Sequence, residues 1–196
     1  YAPNIKKLLE DDPNLKRGLT MPDGNIYSLP RIFDPELYSV LAGRKLYINQ
    51  DFLDKLGMDE PETLDELYEF LVAVKENDLN GNGIDDEVPF AASGDSHLFR
   101  LLMGSFGLGN RGIVNHPYVD IHPQTGELRF IPTTPEYKAL LEYLNKLYAE
   151  GLLMQDMYTV RSAEVTARAE DNVYGVMVTT NPSTAYGQDQ YVGLKS

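Results

Sequence analysis

The sequence predicts an α/β fold, a sandwich of helices layered on a sheet, and three observations carry that prediction. Runs with helical spacing alternate with short strand-like runs along the chain. Helix caps and glycine stops bracket several of the helical runs. The segment Val173 to Thr180, without a charged residue and apolar as far as Val178, reads as a buried strand. With 196 residues, 42% hydrophobic and 24% charged, the chain is long enough for one sizeable core, or for one lobe plus part of another.

The N-terminal elements come first. Ile5 to Leu9 opens a helix that stops near Pro13, and Met21-Pro22-Asp23-Gly24-Asn25 is a strong turn signal. Ile26 to Leu29 reads as a short strand ended by Pro30. A second strand, Lys45 to Asn49, runs at once into a helix from Asp51 to Leu56, stopped by Gly57. Thr63-Leu64-Asp65-Glu66 predicts a capping box, with the Thr hydroxyl and the Glu carboxylate each reaching a free backbone N–H. Behind it Leu64, Leu67, Phe70, Leu71 and Val74 recur at helical spacing and mark a buried face.

After a strand over Val88 to Ala92, Ser93-Gly94-Asp95 starts a helix through Leu98, Leu101, Leu102 and Phe106, stopped at Gly107. Val119 to Ile121 and Glu127 to Phe130 form a β-hairpin across Pro123-Gln124-Thr125-Gly126. Thr134-Pro135 enters a helix with Pro at its first position, and Tyr137, Leu140, Leu141, Leu144, Leu147 and Tyr148 hold its stripe as far as Gly151. A last helix near Ala163 to Ala169 precedes the Val173 strand, which ends at Asn181-Pro182. The chain carries no internal repeat.

Between the capped helix and the Val88 strand lies Asp78-Leu79-Asn80-Gly81-Asn82-Gly83-Ile84-Asp85-Asp86-Glu87. Oxygen-bearing side chains at alternate positions, then a glycine and carboxylates, suit Ca²⁺, which takes six to eight oxygens. Asp78, Asn80 and Asn82 supply the first three, Gly83 the turn, Ile84 its carbonyl, and Asp86 with Glu87 the closing carboxylates. An EF-hand closes with a Glu at its twelfth position and a second helix, whereas here that position is Pro89 and a strand follows. The plainer alternative is a solvated turn, since Asn, Gly and Asp dominate turns. Against it, two carboxylates about 5 Å apart at an effective dielectric near 20 repel by roughly 3 kcal/mol, and three are expected to gather here. Mg²⁺ fits less well because it keeps more water and a stricter octahedron.

A net charge of −13 without basic runs disfavours nucleic acid and anionic membrane surfaces as partners. The absence of cysteine excludes disulfides, zinc thiolates and a thiol nucleophile from this segment. The histidines share no ligand spacing, and nothing in the sequence pairs two carboxylates in the manner a glycosidase needs. Ligands of open α/β sheets collect at the carboxyl ends of strands. That rule nominates Ala42-Gly43-Arg44, Ser93-Gly94-Asp95-Ser96-His97 and Asn181-Pro182-Ser183-Thr184, each of which also reads as a cap or turn. Tyr27, Tyr38, Phe99 and Tyr118 lie off the helical stripes and are the candidate faces for stacking on a sugar. Because the chain opens at Tyr1 without Met, a longer parent with its targeting segment elsewhere is expected.

Asp23 to Pro30, Leu46 to Gly57 and Glu62 to Leu67 together resemble the extracellular solute-binding proteins, family 1, of carbohydrate ABC transporters. The oxygen loop followed by Val88-Pro89-Phe90 is similar to the lipoprotein branch holding the LplA-type and alginate-binding proteins. Pro135 to Leu152 and the Val173 strand continue the match. The resemblance implies a type II periplasmic-binding-protein fold, in which two α/β lobes on a hinge close upon an oligosaccharide. Residues 1–196 would then be a single lobe, mainly the second, with 1–45 as hinge or first-lobe remnant.

It further implies a structural Ca²⁺ held by Asp78, Asn80, Asn82, the Ile84 carbonyl, Asp86 and Glu87. Ligand contacts are implied near Arg44, Ser93, Asp95, His97, Asn181 and Ser183. The family's frequent sugar-stacking Trp has no counterpart in Asn181 to Tyr186. The implied protein is a non-enzymatic, monomeric receptor that delivers solute to ABC permease subunits. It would sit on the outside of a bacterium as a lipoprotein whose anchor lies outside this chain. A calcium-stabilised cell-surface interaction module is the alternative, and a glycoside hydrolase a more distant one.

Overall fold

The computed structural model describes residues 2–29, 43–94, 96–109 and 118–194. The chain divides into two compact units, Tyr1–Leu41 and Ala42–Ser196.

In the first unit, α1 spans Pro3–Asp11 and α2 spans Pro13–Leu19. The stop expected near Pro13 is thus also a start. Asp12 accepts from the Asn14 and Leu15 N–H groups at 3.0 and 3.1 Å, and Pro13 fills a first-turn position where no N–H is needed. The turn at 21–25 forms, closed by Met21 N–H to the Asn25 carbonyl at 2.9 Å. The strand expected over Ile26 to Leu29 does not form. Its side chains are exposed and no described strand pairs with it, so the sequence pattern has no ladder to join.

The second unit is built on a mixed four-stranded sheet in the order β2-β5-β1-β6. These strands are β1 (Lys45–Asn49), β2 (Val88–Ala91), β5 (Tyr174–Thr179) and β6 (Tyr191–Gly193). β1 runs antiparallel to both neighbours, pairing Lys45 with Thr179 and Asn49 with Tyr191, while β2 runs parallel to β5. All six residues of β5 are buried, as its uncharged, mainly apolar run predicts. Gly175 lets β2 and a helix approach closely, since a Cβ there would lie 2.7 Å from the Pro89 carbonyl and 3.0 Å from a Val74 methyl.

Helices α3 (Gln50–Leu56) and α4 (Leu64–Glu76) follow β1. Gly57 ends α3 in a left-handed conformation. The capping box of α4 is complete, with the Glu66 N–H on the Thr63 hydroxyl at 3.1 Å and the Glu66 carboxylate on the Thr63 N–H at 3.0 Å. Leu67, Phe70, Leu71 and Val74 are buried in the core, with Leu64 partly so.

Helix α5 (Ser96–Leu102) passes into a 3-10 turn at Met103–Phe106 that Gly107 stops. Strands β3 (Val119–Ile121) and β4 (Leu128–Phe130) make the expected hairpin. Its inner side carries the Asp120–Arg129 ion pair, while Ile121, Leu128 and Phe130 are exposed. Helix α6 (Pro135–Ala149) buries Leu140, Leu144 and Leu147, but Leu141 and Tyr148 fall on its exposed flank. Tyr148 is held there by hydrogen bonds with Gln155. Helix α7 (Ser162–Ala169) precedes β5, and the short α8 (Pro182–Tyr186) separates β5 from β6. Sequence reading did not anticipate α8 or β6.

Candidate functional site

The strand directions decide where the three nominated loops lie. Arg44 precedes β1 and so stands at an amino end, not at the carboxyl end the rule requires. Because β1 is antiparallel to β5, however, Lys45 sits beside Thr179, and Arg44 shares a sheet end with Asn181. The parallel pairing of β2 with β5 brings Ser93 to that same end. With neighbouring strands about 4.8 Å apart, positions 44, 93 and 181 fall within three adjacent strand ends. Asp95 lies outside the described residues, as do the side chains of Ser96 and His97.

Each of these loops is fixed locally. Asn181 caps α8 by accepting from the Thr184 N–H at 3.2 Å, and the Ser183 hydroxyl donates to the Asp189 carboxylate. The Ser93 turn is pinned by the Gly94 N–H on the Met157 carbonyl at 2.8 Å. The Tyr47 hydroxyl donates to the Thr180 carbonyl at 2.9 Å, which ties β1 to the exit from β5. Arg44 is exposed and borders a cavity of about 860 Å³, whose other walls include Thr63, Leu101, Ser105 and Leu194. That cavity shares Arg44 with the predicted set but takes in neither Ser93 nor Asn181. Its wall is mixed, with leucines beside Lys45, Glu62, Thr63, Asp65 and Ser105. Of the candidate stacking faces, Tyr27 and Tyr118 are exposed, Phe99 packs partly into the core, and Tyr38 lies outside the described residues.

The oxygen loop lies at the opposite end of the sheet, between α4 and the start of β2. The six residues of β5 span about 17 Å between the two ends. Asp78 accepts from the N–H groups of Gly81 at 2.8 Å, Asn82 at 3.2 Å and Gly83 at 2.8 Å. The Asn80 and Asn82 side-chain oxygens accept from the N–H two residues on, at 3.0 and 2.7 Å. Both amide nitrogens donate to Asp86, at 3.0 to 3.2 Å. Glu87 accepts from the Leu79 N–H at 2.6 Å and the Asn80 N–H at 3.0 Å. Gly81 and Gly83 take φ of +75° and +77°, which the tight winding requires.

The expected gathering of three carboxylates is not met. Among the described residues no three Asp, Glu or His side chains form a group able to hold a metal. Asp78 and Glu87 bond backbone N–H groups instead, which relieves the repulsion that argued for a cation. The donor set still fits a hard cation in kind. Asn80 and Asn82 face Asp86 with their amide nitrogens, while their amide oxygens accept from backbone N–H groups and each keeps a second lone pair that a cation could use.

No family model matches the chain. It is similar to the fructooligosaccharide ABC transporter substrate-binding protein FusA of Streptococcus pneumoniae, with 32% identity over 197 residues covering 97% of this chain and 35% of that protein. It is also similar to lipoprotein LipO of Bacillus subtilis, with 33% identity covering 92% of this chain and 34% of that protein. The solved structure of pneumococcal FusA with kestose superimposes with a TM-score of 0.79 at 29% identity, covering 98% of this chain and 39% of that one. An EF-hand mutant of FusA with fructo-nystose gives a TM-score of 0.80 at 28% identity, with the same coverage of both chains. The chain spans about a third of the length of the curated relatives it matches. Its α/β fold resembles that of periplasmic-binding proteins, and the chain is homologous to the FusA-like ABC-transporter substrate-binding proteins.

Proposed function

We propose that this chain is one lobe of the substrate-binding component of an ABC importer, mainly the second lobe, with residues 1–45 serving as hinge or first-lobe remnant. The lobe contributes one wall of a cleft for an oligosaccharide, binds it without chemical change, and hands it to permease subunits. The observation that carries this reading is the convergence of positions 44, 93 and 181 at one end of the sheet, in a chain with FusA-like relatives. Arg44, Ser93, Asp95, His97, Asn181 and Ser183 are the proposed contacts. The parent is an extracellular, monomeric lipoprotein anchored by lipid outside this segment. Isothermal titration of an oligosaccharide panel against the full-length parent tests it. Saccharide binding that weakens at least about tenfold, or 1.4 kcal/mol, in Arg44→Ala and Asn181→Ala is expected; no binding to any saccharide overturns the reading.

The 78–87 loop is proposed to hold a structural Ca²⁺ through Asp78, Asn80, Asn82, the Ile84 carbonyl, Asp86 and Glu87. Bound calcium supplies charge neutralisation for the carboxylates and a rigid link between α4 and β2. The EF-hand named for the FusA structure supports this reading. A ligand bound only by the folded state stabilises by about 2.7 kcal/mol at a hundred times its Kd. Ca²⁺ is therefore expected to raise the melting temperature and EDTA to lower it, and Asp78→Ala to erase that difference. Identical melting curves with and without EDTA count against the metal.

A further inference from the structure

The oxygen loop is joined to the sheet by a run of side-chain amides. Asn80 donates its amide nitrogen not only to Asp86 but also to the Asp171 carbonyl, at 3.3 Å. The next residue, Asn172, has φ of +52° and is the sole non-glycine residue with positive φ among those described. Asparagine tolerates that conformation better than most residues, and here its side chain is also used. Its oxygen accepts from Asn49 Nδ2 at 2.9 Å and from Gln190 Nε2 at 2.7 Å. Asn49 is fully buried, and its nitrogen also reaches the Tyr174 carbonyl at 3.2 Å and the Tyr191 hydroxyl at 3.4 Å. Tyr191 in turn donates to the Tyr174 carbonyl at 2.7 Å. A continuous polar path thus runs from the loop, through the turn before β5, to the ends of β1 and β6.

We propose that Asn80 is a positioning residue that couples the oxygen loop, through Asp171 and Asn172, to the buried amide cluster at this end of the sheet. A cation in the loop and an intact cluster then stabilise each other. Asparagine suits position 80 because its amide nitrogen reaches Asp86 in the loop and the Asp171 carbonyl together; aspartate has no N–H to give. This inference rests on the calcium reading and goes beyond it, since Asn172, Asn49 and Gln190 are not ligands.

Coupling between two sites is reciprocal, so damage to the cluster must weaken calcium binding. The test is calcium titration by calorimetry of the wild type, Asn172→Gly, Asn80→Asp and the double variant, each checked for native circular dichroism. Asn172→Gly keeps the backbone conformation and removes the shared acceptor. It is expected to weaken calcium binding about fivefold or more, and to have no further effect in the Asn80→Asp background, whatever the affinity of that variant. Should Asn172→Gly fail to fold, Gln190→Leu removes one donor to the same oxygen and is expected to act in the same direction. Wild-type affinity in folded Asn172→Gly overturns the coupling and leaves the calcium reading intact. An equal loss in the Asn80→Asp background overturns the route through Asn80. Absence of calcium binding to the wild type overturns both.

Discussion

At Asp120 a carboxylate with 2% of its surface exposed accepts from Arg129 Nε at 2.6 Å and Nη2 at 2.7 Å, and from the Gly109 N–H at 2.6 Å. Arg129 also donates to the Gly107 carbonyl, so one ion pair ties the hairpin to the loop after the 3-10 turn. Removing one partner of a buried pair strands the other, at a cost of about 3–5 kcal/mol. Asp120→Ala is expected to lose that much in urea denaturation, and a loss under 1 kcal/mol would show the pair to be dispensable. The bonds from Arg129 above all hold the Asp120 carboxyl below its ordinary value, against the opposing effect of burial. Its contribution to stability is therefore full above the unfolded-state value near 3.9 and fades as pH falls through the lower folded-state value. Acid titration of stability is expected to be flatter below about pH 4 in Asp120→Asn than in wild type.

For whole elements, legibility followed how local the determining forces are. Helix α4 was readable because its cap and its stripe lie within about a dozen consecutive residues. Thr63→Ala is expected to cost about 1 kcal/mol, measured by chemical denaturation, and Glu66→Ala less than that. Strand β6 was not readable, since the three residues Tyr191–Gly193 hold no period and are made a strand only by pairing with β1. The orientation of β1 was hidden for the same reason, so Arg44 reached the candidate site by an argument about carboxyl ends that does not apply to its own strand. The loop residues were legible as a set, but their bonds were not. Spacing places oxygens without saying whether a backbone N–H or a neighbouring amide will claim them.

Across the second unit, the sheet keeps its two sets of polar groups at opposite ends, about 17 Å apart along β5. The proposed calcium should therefore govern stability far more than ligand affinity. In the full-length parent, EDTA is expected to lower the melting temperature while leaving saccharide affinity within about threefold, a change of under 1 kcal/mol. A tenfold or greater loss of affinity would place the loop in the cleft's own energetics. The isolated chain is expected to bind saccharide weakly or not at all, since only one wall of the proposed cleft belongs to it.

The antiparallel placement of β1 also has a consequence for synthesis. Lys45 finds its partner at Thr179 and Asn49 at Tyr191, so the first strand of the unit to leave a ribosome has both neighbours more than a hundred residues behind it. At 5–20 residues per second that is a wait on the order of ten seconds. During it β1 has two open edges, and only elements made before residue 174, chiefly helices, are available to shelter its apolar side chains. Fold completion is thus deferred to the emergence of residues 174–193, where a premature stop or a nascent-chain protease would do the most harm.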